Sequence, residues 1–228
     1  MVNSALFSVK DNPPIVKKTR EEALATRDAL LAAALQVFRE RGVAHTRLSD
    51  VAERAGVTRG AIYWHFRDKA ELFAAVCERG TMPVEALLAE ASRSAQRDPL
   101  ATVKQLALMA LTQLAQHADT QAMFDVIFHK CEFTEELAPV VAKNDADRAA
   151  CLSQVRMLFD QAVASGQLPP HTDTFLATQG LHAYLVGLMH EWVLNPGSYD
   201  LAASAEPLLD CYLAGLTQRP PVCPHPAT

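Results

Sequence analysis

Half of the 228 residues are apolar and only 7% are aromatic, with 9 glycines in the whole chain. Such a composition supplies a packed core for one large or two modest domains, excludes disorder throughout, and argues against an all-β sandwich or a Gly-rich phosphate cradle. Charge is unevenly spread: residues 1–80 carry a net +3 and residues 81–228 a net −8, so a small basic module precedes a larger acidic one and points to a polyanionic partner for the first.

In chain order, residues 1–18 hold Asn12-Pro13-Pro14 and Lys17-Lys18 without apolar periodicity and read as a flexible arm. They lack the basic-then-apolar order of a secretion signal. No apolar run approaches the ~18–20 residues a bilayer requires, so a cytoplasmic protein with no membrane partner is expected. From Thr26, the residues Leu30, Leu31, Ala34, Leu35, Val37 and Phe38 recur at helical spacing until Gly42 stops the run. A second short helix spans about Leu48 to Ala55 and ends at Gly56. Thr58 caps a third through Phe66, and Asp68 caps a fourth from Lys69 into the Ser92 region.

The larger part follows. Asp98-Pro99 opens a helix with Leu100, Val103, Leu106, Ala107, Ala110, Leu111 and Leu114 on its apolar side. Asp119 or Thr120 begins the next, which carries Met123, Phe124, Ile127 and Phe128. Thr134 to Ser165 forms a long helical stretch with Pro139 kinking its start. Thr172 or Asp173 begins an apolar helix to Asn195, and Ser204 a last one through Leu216. The tail, 218–228, is Pro-rich and expected to be disordered. The fold class is all-α: a compact three-helix module over residues 19–70, the candidate polyanion-binding domain, then a larger helical domain over 71–217, about nine helices in all.

The segment Val51 to Phe66 has the spacing of a helix-turn-helix. Ala52 and Ala55 are small enough for a second helix to cross closely, Gly56 supplies the turn's positive φ, and Val57 plugs the turn into the core. Ile62 and Phe66, at i and i+4, anchor the third helix inward. Successive residues diverge by about 100°, so Tyr63, Trp64 and His65 cannot share one core-facing stripe, and aromatics are left facing out. Thr46, Arg47, Thr58, Arg59, Tyr63, His65 and Lys69 supply hydroxyls and cations at helix starts, the groups that hold phosphates and seat a helix in the major groove. Arg59 is the candidate for base reading.

At these residues the sequence resembles the TetR family of bacterial repressors: Gly56-Val57-Thr58-Arg59-Gly60-Ala61-Ile62-Tyr63-Trp64-His65-Phe66, then Lys69 and Leu72-Phe73, is similar to that family's recognition helix. Phe128 to Thr134, Gly166-Gln167-Leu168-Pro169 and the Ala183-Tyr184 to Trp192 pattern resemble its AcrR/TtgR-like subgroup, repressors of multidrug efflux pumps. The resemblance implies a homodimer of nine-helix subunits joined through helices eight and nine. It implies DNA contacts at Thr46, Arg47, Thr58, Arg59, Gly60, Tyr63, Trp64, His65 and Lys69. It also implies an effector pocket lined by Leu106, Ala110, Ile127, Phe128, Cys151, Val155, His182, Val186 and His190, although each of these positions reads equally well as ordinary core. Phe124, Phe128, Val186 and His190 replace polar or charged groups of better-known relatives, which implies a more apolar pocket.

Residue chemistry offers little else. His182 and His190 lie about 12 Å apart along one helix face, too far to chelate one metal, and His129 reads as a core histidine satisfied by a backbone carbonyl. Cys77, Cys131, Cys151, Cys211 and Cys223 are scattered, odd in number and expected to be free thiols. No metal, cofactor or catalytic set is expected. The expected function is a ligand-responsive repressor, released from a DNA operator by a hydrophobic or aromatic small molecule and controlling a multidrug efflux operon. The alternatives are a regulator of a catabolic or biosynthetic operon and, less favoured, a non-regulatory DNA-binding protein.

Overall fold

A computed structural model describes residues 20–80, 98–132 and 134–222. Nine α-helices and no strand occur among these residues. Four belong to the N-terminal part: α1 (Arg20–Arg41), α2 (Leu48–Arg54), α3 (Arg59–Tyr63) and α4 (Lys69–Gly80). Five follow: α5 (Pro99–Gln116), α6 (Ala118–His129), α7 (Ala138–Ala164), α8 (Thr174–Leu194) and α9 (Leu201–Gln218).

The start signals operate as their chemistry requires. Thr58, Asp98 and Asp173 each accept a hydrogen bond from a backbone N–H of the first turn they precede, and Asp68 Oδ1 accepts one from Glu71 N at 2.8 Å. Gly42 and Gly56 take φ of +81° and +68° where α1 and α2 end. Other boundaries differ from the sequence reading. α1 begins at Arg20, six residues before Thr26, because Glu21 and Glu22 suit a helix's first turn without contributing apolar periodicity. α6 starts at Ala118 with no side-chain cap, and Asp200 rather than Ser204 caps α9 through Ala203 N. Pro139 does not kink α7: it sits in the first turn, where its missing N–H costs nothing, after a short 3-10 turn at Glu135–Leu137. Residues 219–222 are held in place, with Pro221 O accepting from Asp173 N at 2.8 Å. The arm, the reach of α4 toward Ser92, and residues 223–228 lie outside the described residues.

Two apolar cores organise the chain. In the first, Leu30, Ala34 and Phe38 of α1 meet Val51 of α2, Ile62 of α3, Phe66, and Leu72 and Phe73 of α4. Phe38 and Phe73 make an edge-on aromatic contact at 5.9 Å. This core does not stop at α4. It continues through Val76 and Cys77 to Met123 and Val126 of α6 and to Leu137 and Val140. Gly80 is small because it must be: a β-carbon there would overlap the Met123 side chain. The second core joins Val103, Leu111 and Leu114 of α5, Phe159 of α7, Leu181 and Trp192 of α8, and Leu209 and Leu213 of α9. Around it, Trp192 Nε1 donates to Tyr199 O at 3.1 Å, and Tyr184 stacks on Tyr212 at 5.3 Å. No described helix is long and apolar enough to cross a membrane.

Candidate nucleic-acid interface and effector domain

The third helix is short, and its orientation follows from what it buries. Ile62 is 0% exposed and Phe66 2%, so the opposite side faces solvent. Thr58, Arg59, Gly60, Tyr63 and Trp64 are exposed, Trp64 at 90%. Tyr63, at 50%, stands beside it, so two adjacent rings face outward from this helix. His65 is half-buried and tilted against the Phe66 ring. Arg54 clamps α2 to α1 through two hydrogen bonds to Glu40, at 2.8 and 2.6 Å, and this hydrogen-bonded pairing holds the Glu40 carboxyl below its ordinary value. Arg47 is exposed at the start of α2, its backbone N–H given to Asp50 at 3.0 Å.

Two expected DNA contacts are placed differently. Thr46 is 3% exposed, and its hydroxyl donates to Gly42 O at 2.7 Å, so it fastens the α1–α2 turn. Lys69 is turned inward: Nζ donates to Ala44 O at 3.0 Å and pairs with Glu136 at 3.0 Å. The Lys69 side chain is 13% exposed, so its ammonium is held inward rather than presented to solvent. Lys69 thereby ties the first four helices to the rest, a placement that spacing alone could not reveal.

That joint is polar and specific. Val43 N donates to Lys130 O at 3.0 Å. Arg39 Nε donates to Asp125 Oδ2 at 3.0 Å, and Asp125 Oδ1 meets His129 Nδ1 at 3.1 Å. Burial works to raise the Asp125 carboxyl, but the hydrogen bonds from Arg39 and His129 outweigh it and hold it below its ordinary value. His129 therefore is not a core histidine resting on a backbone carbonyl, as its sequence position suggested. One nitrogen serves a carboxylate and the other, Nε2, is buried with no hydrogen-bond partner among the described residues. A cleft of about 320 Å³ opens beside this joint, lined by Glu40, Arg41 and His45 on one side and Phe128, Lys130 and Glu132 on the other.

In the helical domain, Leu106, Ala110, Phe128 and Val155 are partly buried against the second core. Ile127 instead packs against the first core, because it follows Met123, buried there, by one turn. On α8, His182, Val186 and His190 share a face at i, i+4 and i+8. His190 lies 5.3 Å from the Phe128 ring and 5.2 Å from His129. Burial and, secondarily, Arg148 of α7 lower the His182 pKa. Between these two histidines Val186 remains 36% exposed, so this face is incompletely covered. Cys151 is half-buried, its thiol pushed up by burial, and burial drives the Cys77 thiol to about 12; neither is poised as a nucleophile. No group of three metal-ligating side chains occurs among the described residues.

Comparison with known proteins places this architecture. Residues 30–76 match the family model for bacterial regulatory proteins of the tetR family, and residues 98–218 match the C-terminal region of MAATS-type transcriptional repressors. The HTH-type transcriptional regulator TtgR of Pseudomonas putida is 38% identical over 207 residues, covering 90% of this chain and 98% of TtgR. The crystal structure of NalD, the secondary repressor of the MexAB-OprM multidrug efflux pump in Pseudomonas aeruginosa, superposes with a TM-score of 0.75 at 34% identity, covering 88% of this chain and all of NalD. The complex of triclosan with SmeT, repressor of the Stenotrophomonas maltophilia pump SmeDEF, gives a TM-score of 0.70 at 29% identity over 90% of this chain and 99% of SmeT. With an outward-facing third helix held over a buried Ile62 and Phe66, and a helical second domain matching along its length, the chain belongs to the TetR family of bacterial transcriptional regulators.

Proposed function

We propose that the protein is a ligand-responsive repressor of a multidrug efflux operon, working in the cytoplasm without catalysing a reaction. Two subunits paired through α8 and α9 present one α3 to each half-site of a palindromic operator, and a hydrophobic or aromatic small molecule releases them. The observation that carries this reading is the exposure of Arg59, Tyr63 and Trp64 above the buried pair Ile62 and Phe66. Exposed Phe175, Leu176 and Leu194 on α8 give a dimer apolar surface to cover. The incompletely covered face at Val186, between His182 and His190, suits an apolar guest. The similarity to NalD and SmeT, each a repressor of a multidrug efflux pump, favours efflux control over regulation of a catabolic operon, and the triclosan complex of SmeT favours an aromatic effector.

Release requires that the effector bind better to a state whose paired α3 helices no longer match the groove spacing, since equal affinity for both states shifts nothing. A mobility-shift titration on DNA from upstream of the protein's own gene tests the reading. Arg59→Ala should weaken operator binding by about 10- to 100-fold, the range of one bidentate base contact, with dimerisation and effector binding intact. Unchanged operator affinity would remove Arg59 from base reading, and loss of all three properties would count against separate DNA and effector sites.

A further inference from the structure

We infer that His129 is the polar anchor for the effector: a hydrogen-bond donor on an aromatic ligand, of the phenol class, donates to its unpartnered Nε2. This rests on the effector reading above and names the chemistry of that site. His129 Nδ1 lies 3.1 Å from Asp125 Oδ1, and an ionised carboxylate only accepts, so Nδ1 carries the proton. In the neutral ring Nε2 then offers a lone pair. That atom is buried with no partner among the described residues, a costly condition in a protein interior. A ligand hydroxyl would satisfy it, whereas an ether or carbonyl, having no hydrogen to give, would not.

The surroundings fit a ring. Phe128 packs against Phe124 at 5.4 Å and against His190 at 5.3 Å, and the His129 ring is 5.2 Å from that of His190. His190 belongs to the same α8 face as Val186, and both stay partly open to solvent, Val186 at 36% and the His190 side chain at 42%, so the aromatic group lies at a partly open face. A guest that parts the His129 and His190 rings recovers the lost hydrogen bond only in the parted state. This is the differential affinity that a population shift needs. His129 is also joined, through Asp125, to Arg39 of α1, so movement of its ring bears directly on the DNA-binding part.

Triclosan and its O-methyl ether share their rings and differ in the donor, and calorimetric titration of the full-length protein with each tests the proposal. The wild type should bind triclosan about tenfold more tightly than the ether, and His129→Phe, which keeps an aromatic ring, should bind the two alike. Asp125→Asn, which still accepts from Nδ1, should keep the preference yet need about tenfold more triclosan for release from operator DNA. Equal binding of the two compounds by the wild type, a comparison that needs no variant, would overturn the proposal, as would a preference that survives in His129→Phe. Release of Asp125→Asn at wild-type concentrations would remove the link to Arg39. Binding of neither compound by the wild type would instead strike the effector reading itself, and His129's role with it.

Discussion

At single residues, burial separates side chains that sequence position groups together. Thr46, Arg59 and Lys69 all stand at helix starts and all offer donors, yet of the three only Arg59 is left on the solvent side, without a partner among the described residues. Pattern spacing locates such positions but not the carbonyl or carboxylate that captures them, because Gly42 O lies on the preceding helix end and Glu136 is 67 residues further along the chain. His129 shows the same limit: its Asp125 partner is legible at i−4, whereas the orphaned Nε2 depends on packing against α8. Two stability measurements belong here. Phe38→Ala removes a ring that is 0% exposed and should cost about 3–5 kcal/mol in denaturant unfolding; a loss under about 1 kcal/mol would show that the first core repacks easily. Asp125→Asn should destabilise the protein at neutral pH and progressively less in acid. The folded-state carboxyl is held low, so its contribution is fully present above the ordinary carboxylate value of about 4 and is lost as pH falls through the depressed one. A difference between the two proteins that stays constant down to about pH 2 would contradict this.

Among the helices, those with a marked start and stop were readable and those without were displaced. α5 and α8 begin where Asp98 and Asp173 cap them, because a capping carboxylate is a local device. α1 begins earlier than its apolar periodicity, because a charged first turn extends a helix without adding to its buried face, whereas α9 begins at Leu201, itself buried in the second core, because Asp200 caps it there. The close approach of α4 to α6 was hidden, since it depends on Gly80 and Met123 lying against each other across the fold. Gly80→Ala, helix-favouring in isolation, should therefore lower stability by about 1–3 kcal/mol through overpacking; a raised thermal midpoint would show that the two helices separate freely. On α8, Val186→Arg should raise the effector concentration needed for release while leaving operator affinity unchanged. An unaltered effector titration would mean that this face of α8 does not meet the ligand.

For the molecule as a whole, the two apolar cores meet along α6 rather than at a linker. Met123 and Val126 belong to the first core, Phe128 packs on the second, and Phe124 touches both. Under the release proposed above, a change in how α6 packs against α8 would reach the helices that carry Arg59 through this shared packing, without a flexible hinge. The division into a basic and an acidic part was evident from charge alone, but the continuity of the first core into α6 and α7 was not, since it is made by contacts distant in sequence. Basic side chains on the DNA face also predict that operator affinity falls steeply with added salt, by counterion release from phosphate. The most direct test of the account is a footprint on the DNA upstream of the protein's own gene, made with and without triclosan. One protected palindrome is expected for the wild type, lost as triclosan is added and absent for Arg59→Ala. Protection without sequence preference, or a palindrome equally protected by Arg59→Ala and untouched by triclosan and other apolar aromatics, would contradict it.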